Sequence, residues 1–195
     1  MNIIAINGSP RPEGNVTFLL KKALKVAQDT GFDTDIIHVN SLMLNLKVPF
    51  CIHCSSPCSK SCYSNTELEK IYELLSQADG IIMGSPVYFG TVSAQLKAFW
   101  DKTRALRTAY KLMGKIGAAI SVGASPYGGQ ETTLRALQDM MFIHGMTLVG
   151  DGMYQISAGH QGLGAQQPVF NNRDVIKSVE NLAQRVVAEV LKREG

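Results

Sequence analysis

Short apolar segments and amphipathic helical patterns alternate along almost the whole chain. The apolar segments predict five strands, at residues 3–6, 32–39, 81–83, 116–122 and 146–149. Each strand is followed by apolar residues that recur every three or four positions, as in the run 16–27, which Gly31 ends. The third strand is apolar throughout, as expected when helices cover both of its faces. The alternation therefore predicts an α/β fold with a doubly wound parallel sheet.

Length and charge exclude several classes of protein. At 195 residues, the chain is long enough for one domain that buries about 70% of its unfolded surface. The formal net charge of +3 is spread without a basic stripe, which argues against a nucleic-acid partner. No apolar run approaches the roughly 18 residues that span a bilayer, and no export signal precedes the first strand. We expect a single cytoplasmic domain over residues 1–195, with reduced thiols and no membrane partner.

A hydroxyl-rich turn at residues 8–17, the first loop, joins the first strand to the first helix. Unpaired N–H groups and the peptide dipoles at a helix start favour an anion. Ser9, Asn15 and Thr17 offer side-chain hydrogen bonds, and Arg11 adds positive charge. The loop lacks both the Gly-x-Gly-x-x-Gly of dinucleotide folds and the closing Lys-Ser/Thr of nucleoside triphosphatases. The pattern therefore predicts a site for a monophosphate.

Two further loops follow the third and fourth predicted strands. The second loop, 85–93, combines the rigid Pro86 with the aromatic Tyr88 and Phe89, and the third loop, 123–131, is polar and rich in glycine. Because the carboxyl ends of parallel strands share one edge, all three loops are expected to meet there. From the second loop alone, packing of its aromatic rings into the core is an open alternative. Together the three loops predict a site for a phosphorylated, planar cofactor.

The segment 41–65 is too long for an ordinary connection, and it holds all four cysteines. Cys51, Cys54, Cys58 and Cys62 follow the spacing C-x2-C-x3-C-x3-C. Four thiolates in a compact loop favour a 4Fe–4S cluster. Tetrahedral zinc, and four thiols without metal that are reduced or in disulfides, are the alternatives.

Three histidines and two arginines are weaker candidates. His160 lies in a glycine-rich stretch that either folds over a ligand or forms a plain surface loop. His53 is expected to face solvent, whereas His144 lies on an apolar helical face, which is typical of a buried, hydrogen-bonded residue. Arg104 and Arg107 are expected to contact solvent rather than a nicotinamide phosphate.

Three motifs occur in order along the chain. They are Gly-Ser-Pro-Arg-x-x-Gly-Asn-x-Thr at 8–17, Ala-Asp-Gly-Ile-Ile-Met-Gly-Ser-Pro-Val-Tyr-Phe-Gly at 78–90, and Gly-Gly-Gln-Glu at 128–131. With these motifs the chain resembles the NAD(P)H-dependent FMN reductase group of flavodoxin-like proteins. Its cysteine segment makes it most similar to the iron–sulfur flavoproteins of that group, although their usual spacing, C-x2-C-x2-C before a longer gap, differs slightly. The resemblance implies a five-stranded parallel sheet of order 2-1-3-4-5, with the cysteine loop inserted after strand two.

The resemblance also implies which residues bind FMN. It places the phosphate on Ser9, Arg11, Asn15, Val16 and Thr17. It places the isoalloxazine ring on Pro86, Val87, Tyr88, Phe89 and Gly90, with Ser125, Tyr127 and Gly128 on the far side. Members of the group are typically dimers or tetramers with the flavin near a subunit interface, so a homodimer or homotetramer is expected.

The residues and the resemblance together predict an FMN-dependent oxidoreductase. It is expected to transfer electrons between a reductant such as NAD(P)H or ferredoxin and a small-molecule or protein acceptor, with the flavin supplying the chemistry. No side chain is expected to act as acid or base, because no His/Asp or paired-carboxylate constellation occurs. The alternatives are a cluster-free NAD(P)H:quinone or flavin reductase, and a non-enzymatic module whose metal loop contacts other proteins.

Overall fold

The computed structural model describes residues 1–154 and 156–193, and these form a parallel sheet between two layers of helices. The strands are β1 (Asn2–Asn7), β2 (Asp33–His38), β3 (Gly80–Pro86), β4 (Ile116–Gly123), β5 (Thr147–Leu148) and β6 (Leu163–Gln166). The helices are α1 (Asn15–Asp29), α2 (Val39–Leu44), α3 (Glu67–Gln77), α4 (Ala94–Asp101), α5 (Arg104–Thr108), α6 (Gln130–Phe142) and α7 (Arg173–Leu191). The strand order is β2-β1-β3-β4-β5 with every pair parallel, which confirms the predicted topology.

The fifth position of the sheet is split between two short strands. β5 pairs with the first two residues of β4, whereas β6 pairs with the last four, and the loop 149–162 separates them. The sequence predicts β5 but not β6. The reason is that β6 has only four residues, of which Leu163 and Ala165 are buried and Gly164 and Gln166 are exposed.

Alternate residues of the strands enter two apolar cores, one on each face of the sheet. In β1, Ile3 contributes to the core under α1 and α7, and Ile4 contributes to the core under α3, α4 and α6. Leu20 and Val186 fill the first core, and Phe99 lies fully buried in the second. Because helices cover both faces, the central strands lack the alternation of buried and exposed residues that a half-exposed sheet shows. Within the described residues, no helix has the length and apolar character that crossing a bilayer requires.

The irregular segment after β2 is shorter than predicted. Residues Val39–Leu44 form α2 directly after the strand, because Val39, Leu42 and Met43 follow helical spacing and are buried. The irregular segment therefore covers residues 45–66 rather than 41–65, and we call it the cysteine loop. All four cysteines lie within it.

Candidate functional site

Hydrogen bonds join the three predicted loops at the carboxyl edge of the sheet. Gly8 donates its N–H to the carbonyl of Gly84 (2.8 Å), and the Ser93 hydroxyl donates to the carbonyl of Gly8 (2.6 Å). The Thr132 hydroxyl, in the first turn of α6, donates to the carbonyl of Gly90 (2.7 Å). The first loop is thus tied to β3 and α4, and the second loop is tied to the helix that follows the third.

Side chains shape the first loop from inside. The Asn7 amide donates to Thr17 Oγ1 (2.9 Å), and Asn7 Oδ1 accepts the N–H of Ser9 (2.9 Å). The Thr17 hydroxyl donates to the Arg11 carbonyl (3.2 Å), while Ser9 Oγ accepts the N–H of Arg11 (3.1 Å). The N–H groups in the first turn of α1 lack intrahelical acceptors. The loop therefore presents backbone donors at a helix N-terminus, and its buried hydroxyls fix their direction.

The other predicted residues of the first loop have separate surroundings. Asn15 connects this loop to the segment after β6, because its Oδ1 accepts the N–H of Val169 (3.0 Å) and its amide lies 3.4 Å from Gln167 Oε1. The side chain of Val16 is buried in the core, which leaves its backbone at the helix start. The side chain of Arg11 is exposed beside this N-terminus. The loop thus combines ordered backbone donors with the exposed cation of Arg11.

Aromatic side chains project from the second and third loops. Phe89 and Tyr127 are fully exposed, and their φ angles of +50° and +53° belong to a region that is strained for residues other than glycine. Tyr88 is also exposed, and its backbone pairs with that of Thr91 (2.9 and 3.2 Å) to close a tight turn. The alternative that Tyr88 and Phe89 pack into the core is therefore wrong. Their rings form part of the surface at this edge.

Two glycines let the loops approach one another. A Cβ atom on Gly129 would lie 2.9 Å from Gly90 Cα and 3.2 Å from Val87 Cγ1, so glycine is required where the third loop touches the second. A Cβ atom on Gly8 would lie 2.8 Å from Leu96 Cδ2. Real Cβ atoms do not tolerate contacts of this length in a packed interior. The shape of this edge thus depends on close backbone packing.

The remaining residues predicted to bind the cofactor form the base of the second and third loops. Pro86 ends β3, and the N–H of Val87 donates to a carbonyl of β4 (2.9 Å). The carbonyl of Ser125 accepts the side-chain amide of Gln130 (2.7 Å), and Gly128 lies against Ser125. These contacts hold the two loops beside each other, as the sequence predicts.

All four cysteines line one cavity of about 140 Å³ between the cysteine loop and the end of α4. They carry free thiols, and the lining also includes two cationic side chains, Lys102 and Arg104. His53 and Lys60 adopt φ angles of +52° and +62°, and each lies between two cysteines, where it turns the chain. The predicted cysteine motif is thus gathered around a common space.

The cavity is large for a single ion. One water molecule needs roughly 10–15 Å³ of such space, so about 140 Å³ admits a group of several atoms. Among residues 1–154 and 156–193, no set of three His, Cys, Asp or Glu side chains is placed to hold one metal ion. A tetrahedral zinc site needs four ligands within about 2.3 Å of the metal. The cavity that the thiols line is larger than one such ion requires.

Arg104 anchors the cysteine loop instead of facing solvent, which corrects the expectation from sequence. Its Nη2 atom donates to the Ser55 carbonyl (3.2 Å) and lies 3.3 Å from His53 Nε2. The His53 side chain is exposed as predicted. Arg107 donates to the carbonyl of Ile143 (3.0 Å) at the end of α6. Both arginines therefore have roles in holding neighbouring segments together.

Sequence reasoning missed Lys102, which directly follows α4 and lines the cysteine cavity. Its side chain is only 2% exposed. The available signal was its position three residues after Phe99, which places it on the buried face of the helix. At about 1.5 Å per residue, the eight residues of α4 separate the second loop from the cysteine cavity by roughly 12 Å.

Two tyrosines lie near the cysteines, Tyr63 in the cysteine loop and Tyr72 in α3. The rings of Tyr63 and Tyr72 meet edge to face at 5.0 Å, and the Tyr72 hydroxyl donates to the Phe99 carbonyl (2.6 Å). Burial raises the pKa of both phenols, and the neighbouring Cys58 and Cys62 raise the pKa of Tyr63 further. Both phenols are therefore neutral at physiological pH and serve as packing surfaces and hydrogen-bond donors.

His144 is a buried core residue, as predicted. The Thr103 hydroxyl donates to the Trp100 carbonyl (2.6 Å), so His144 Nε2, 2.8 Å away, donates to Thr103. Burial, with the nearby Arg107, lowers the pKa of His144 to about 4. His160 is exposed in the loop between β5 and β6, with its Nδ1 atom 3.6 Å from Asp151 Oδ2.

A parallel sheet of this strand order, with three loops gathered at its carboxyl edge, is the fold of flavodoxin-like proteins. Residues 1–161 match the family described as NADPH-dependent FMN reductase, and the chain belongs to that family. It is therefore an FMN-dependent oxidoreductase.

Two relatives place the chain more closely within the family, and one solved structure shares its fold. An iron–sulfur flavoprotein of Methanocaldococcus jannaschii is 41% identical over 195 residues, which cover 98% of each chain. An iron–sulfur flavoprotein of Methanosarcina thermophila is 41% identical over 156 residues, which cover 79% of this chain and 80% of the relative. The apo NADH:FMN oxidoreductase EmoB shares the fold, with a TM-score of 0.72 and 22% identity over 96% of this chain and 89% of that one. Within its family, the chain groups with the proteins named iron–sulfur flavoproteins.

Proposed function

We propose that the protein is an FMN-dependent oxidoreductase that also carries a 4Fe–4S cluster. In this proposal, NAD(P)H or a ferredoxin-like protein supplies electrons, and a small molecule or a protein accepts them. The observation that carries the proposal is that all four thiols of the chain line one cavity. The two relatives are named iron–sulfur flavoproteins, which supports an iron–sulfur group beside the flavin.

The donor set and the cavity support the cluster over its alternatives. Iron–sulfur clusters are held by four Cys thiolates, which is the set found here. The cavity that the thiols line, about 140 Å³, exceeds what one zinc ion needs. Two cations in the lining, Lys102 and Arg104, favour an anionic occupant, and a cluster bound by four thiolates is a net anion. When bound, such a cluster supplies one-electron transfer.

The proposed FMN site uses the three loops. The first loop holds the phosphate through the backbone donors at the start of α1, through Ser9 and Asn15, and through the charge of Arg11. Thr17 acts by holding the loop in shape, because its hydroxyl is already bonded inside it. The isoalloxazine ring lies against the second loop, from Pro86 to Gly90. Ser125, Tyr127 and Gly128 close its far side.

We also propose that the protein is a homodimer or homotetramer whose interface covers the rings beside the flavin site. Phe89 and Tyr127 support this, because two fully exposed aromatic rings at adjacent loop tips are the kind of surface that association buries. Light scattering on the FMN-bound protein measures the molecular mass. A single-chain mass at micromolar concentration would contradict the proposal.

Anaerobic purification followed by metal analysis tests the cluster. We expect about four iron and four sulfide per chain, with absorption that extends beyond the flavin bands. Cys58→Ser should lose iron and sulfide while keeping FMN, because the cysteine cavity and the three loops are separate. Ser64→Ala, a half-buried position in the same loop whose hydroxyl bonds to the Lys60 carbonyl at the surface, is the matched control and should retain both. Zinc without iron in the purified protein would overturn the cluster and leave a cluster-free quinone or flavin reductase.

FMN affinity tests the first loop. Ser9→Ala and Thr17→Val should each weaken FMN binding by roughly 1–3 kcal/mol, through a lost hydrogen bond or a loosened loop. Thr30→Val, at the other end of α1, is the control and should bind FMN like the unmodified chain. Unchanged affinity in both loop variants would refute this assignment of the phosphate site.

A further inference from the structure

Lys102 is buried in the wall of the cysteine cavity without a partner. Its side chain is 2% exposed, and no described residue lies within hydrogen-bonding distance of its Nζ atom. Other lysines are accommodated in ordinary ways. Lys97, on the same helix, is exposed and forms an ion pair with Asp101 (2.6 Å), and Lys115 donates to the Ala78 carbonyl. Unlike these two lysines, Lys102 is buried without a hydrogen-bond partner, and this burial needs a physical explanation.

A buried ammonium group is strongly unfavourable unless an anion or several acceptors surround it. Among the described residues, the lining of the cavity contains no carboxylate that would serve. It contains the four thiols and Ser61 instead. The other cation, Arg104, is already bonded to Ser55 and contacts His53, so it is accounted for as an anchor of the loop. Among the described residues that line the cavity, Lys102 is therefore the cation whose charge has no hydrogen-bonded partner.

We propose that Lys102 is the counter-ion of the group bound by the four cysteines, an inference that rests on the proposed cluster. Its ammonium offers three N–H donors to the sulfur atoms of the anionic cluster. Net charge and hydrogen bonds to sulfur set the reduction potential of such clusters. Reduction adds one negative charge, so a fixed cation beside the cluster stabilises the reduced state more than the oxidised one. Lys102 therefore raises the reduction potential of the cluster and favours its retention.

The reduction potential of the cluster tests this role directly. Lys102→Met keeps the length of the side chain and removes its charge, Lys102→Arg keeps the charge, and Lys97→Met is the control on the same helix. In a redox titration of anaerobic FMN-bound protein, followed by electron paramagnetic resonance, Lys102→Met should lower the equilibrium constant for one-electron reduction at least tenfold. That factor corresponds to about 59 mV. Lys102→Arg and Lys97→Met should remain within threefold of the unmodified chain.

A second measurement separates a charge effect from a packing effect. In protein freed of metal by a chelator, Lys102→Met should be at least as resistant to urea as the unmodified chain, because an unpaired buried charge has been removed. With the cluster bound, the same variant should lose iron to a chelator at least tenfold faster. If Lys102→Met assembles no cluster, assembly restored in Lys102→Arg supports the role, and failure of both variants overturns it.

The failures of the two proposals are distinguishable. If the unmodified chain contains no iron and sulfide, the proposed cluster is wrong, whatever Lys102 does. If iron and sulfide are present and the potential of Lys102→Met equals that of the unmodified chain, the cluster stands and the counter-ion is overturned. Bound FMN, read from its absorption in every variant, shows that the fold is intact.

Discussion

The three loops at the carboxyl edge of the sheet and the cysteine loop are built in different ways. The three loops at the carboxyl edge are held by backbone groups and buried hydroxyls, as in the hydrogen bond from the Ser93 hydroxyl to the carbonyl of Gly8. The cysteine loop is held at its surface, by Arg104 and by hydrogen bonds among serines such as Ser55 and Ser59. One region is thus closely packed by itself, whereas the other surrounds a cavity with a buried cation in its wall.

This difference bears on how each region meets its cofactor. A loop fixed by buried backbone contacts is preorganised, so little ordering remains for a ligand to impose. A loop with a buried charge and exposed hydrogen bonds gains most of its order when an anionic group occupies it. We therefore expect substitutions in the first region to change the stability of the fold. Substitutions in the second region should change mainly the retention of metal.

Gly8→Ala should have the largest effect on stability. The added Cβ would lie 2.8 Å from Leu96 Cδ2 and 3.0 Å from the carbonyl of Gly84, so the first loop must shift away from α4. We expect a loss of about 3 kcal/mol in the free energy of unfolding in urea, with weaker FMN binding. In the double variant with Leu96→Ala, the combined loss should be somewhat smaller than the sum, because the contact with Leu96 Cδ2 is removed while those with Leu96 Cβ (2.9 Å) and the Gly84 carbonyl remain. Unchanged stability in Gly8→Ala itself would show that the close approach of the first loop to α4 does not require glycine.

We expect the stability of the protein to depend on pH through His144, in the region beside the cysteine cavity. The pKa of His144 is about 4 in the folded protein and about 6.5 when unfolded, so the unfolded chain binds more protons between these values. The contribution of His144 to the free energy of unfolding is therefore complete above pH 6.5. It falls by about 2–3 kcal/mol as the pH drops toward 4. Urea unfolding of metal-free protein at a series of pH values measures it.

His144→Gln is the matched variant for this pH dependence. Its amide can donate to Thr103 as the imidazole does, but it does not titrate. The fall in stability between pH 6.5 and 4 should be correspondingly smaller in this variant. An unchanged fall would assign the pH dependence to other groups and separate it from the neighbourhood of Lys102.

The sequence predicts the fold and the three loops at the carboxyl edge well, because both depend on local sequence patterns. The parallel sheet follows from alternating apolar segments and right-handed crossovers, and its strand order follows from the resemblance to flavodoxin-like proteins. The three loops follow from glycine, proline and hydroxyl residues after the strands. What the sequence does not predict is the direction in which individual side chains point. The sequence shows a hydroxyl at Thr17 but not that its bonds lie inside the loop, and it shows aromatic rings at Tyr88 and Phe89 but not that they face outward.

The cysteine cavity is predictable only in part, for a physical reason. The four cysteines are close in sequence, so their grouping is evident from spacing alone. Lys102, at the end of α4, and Arg104, at the start of α5, lie about 40–50 residues away along the chain, and only the packed structure brings them to the same cavity. β6 escaped prediction for a related reason, because a four-residue strand gains its identity from pairing with β4.

Ser93→Ala should have an intermediate effect. The Ser93 hydroxyl donates to the Gly8 carbonyl and accepts the N–H of Leu96 (3.3 Å) as the N-cap of α4, and both partners are buried. Losing a cap and leaving a buried carbonyl without its donor should cost about 2 kcal/mol in urea unfolding. Ser93→Thr, which keeps the hydroxyl, should recover part of that loss. A cost below about 0.5 kcal/mol would mean that the first and second loops are not coupled through this residue.

Ser55→Ala should have the smallest effect, and it is the matched serine substitution in the cysteine loop. The Ser55 hydroxyl accepts the N–H of Ser59 (2.9 Å) and bonds to its hydroxyl (3.1 Å), but these bonds lie at the surface, where water replaces them. We expect a loss of no more than about 0.5 kcal/mol in the unfolding of metal-free protein, with FMN affinity unchanged. If Ser55→Ala cost as much as Ser93→Ala, the cysteine loop would be as preorganised as the other three loops. The contrast between the two regions would then have to be abandoned.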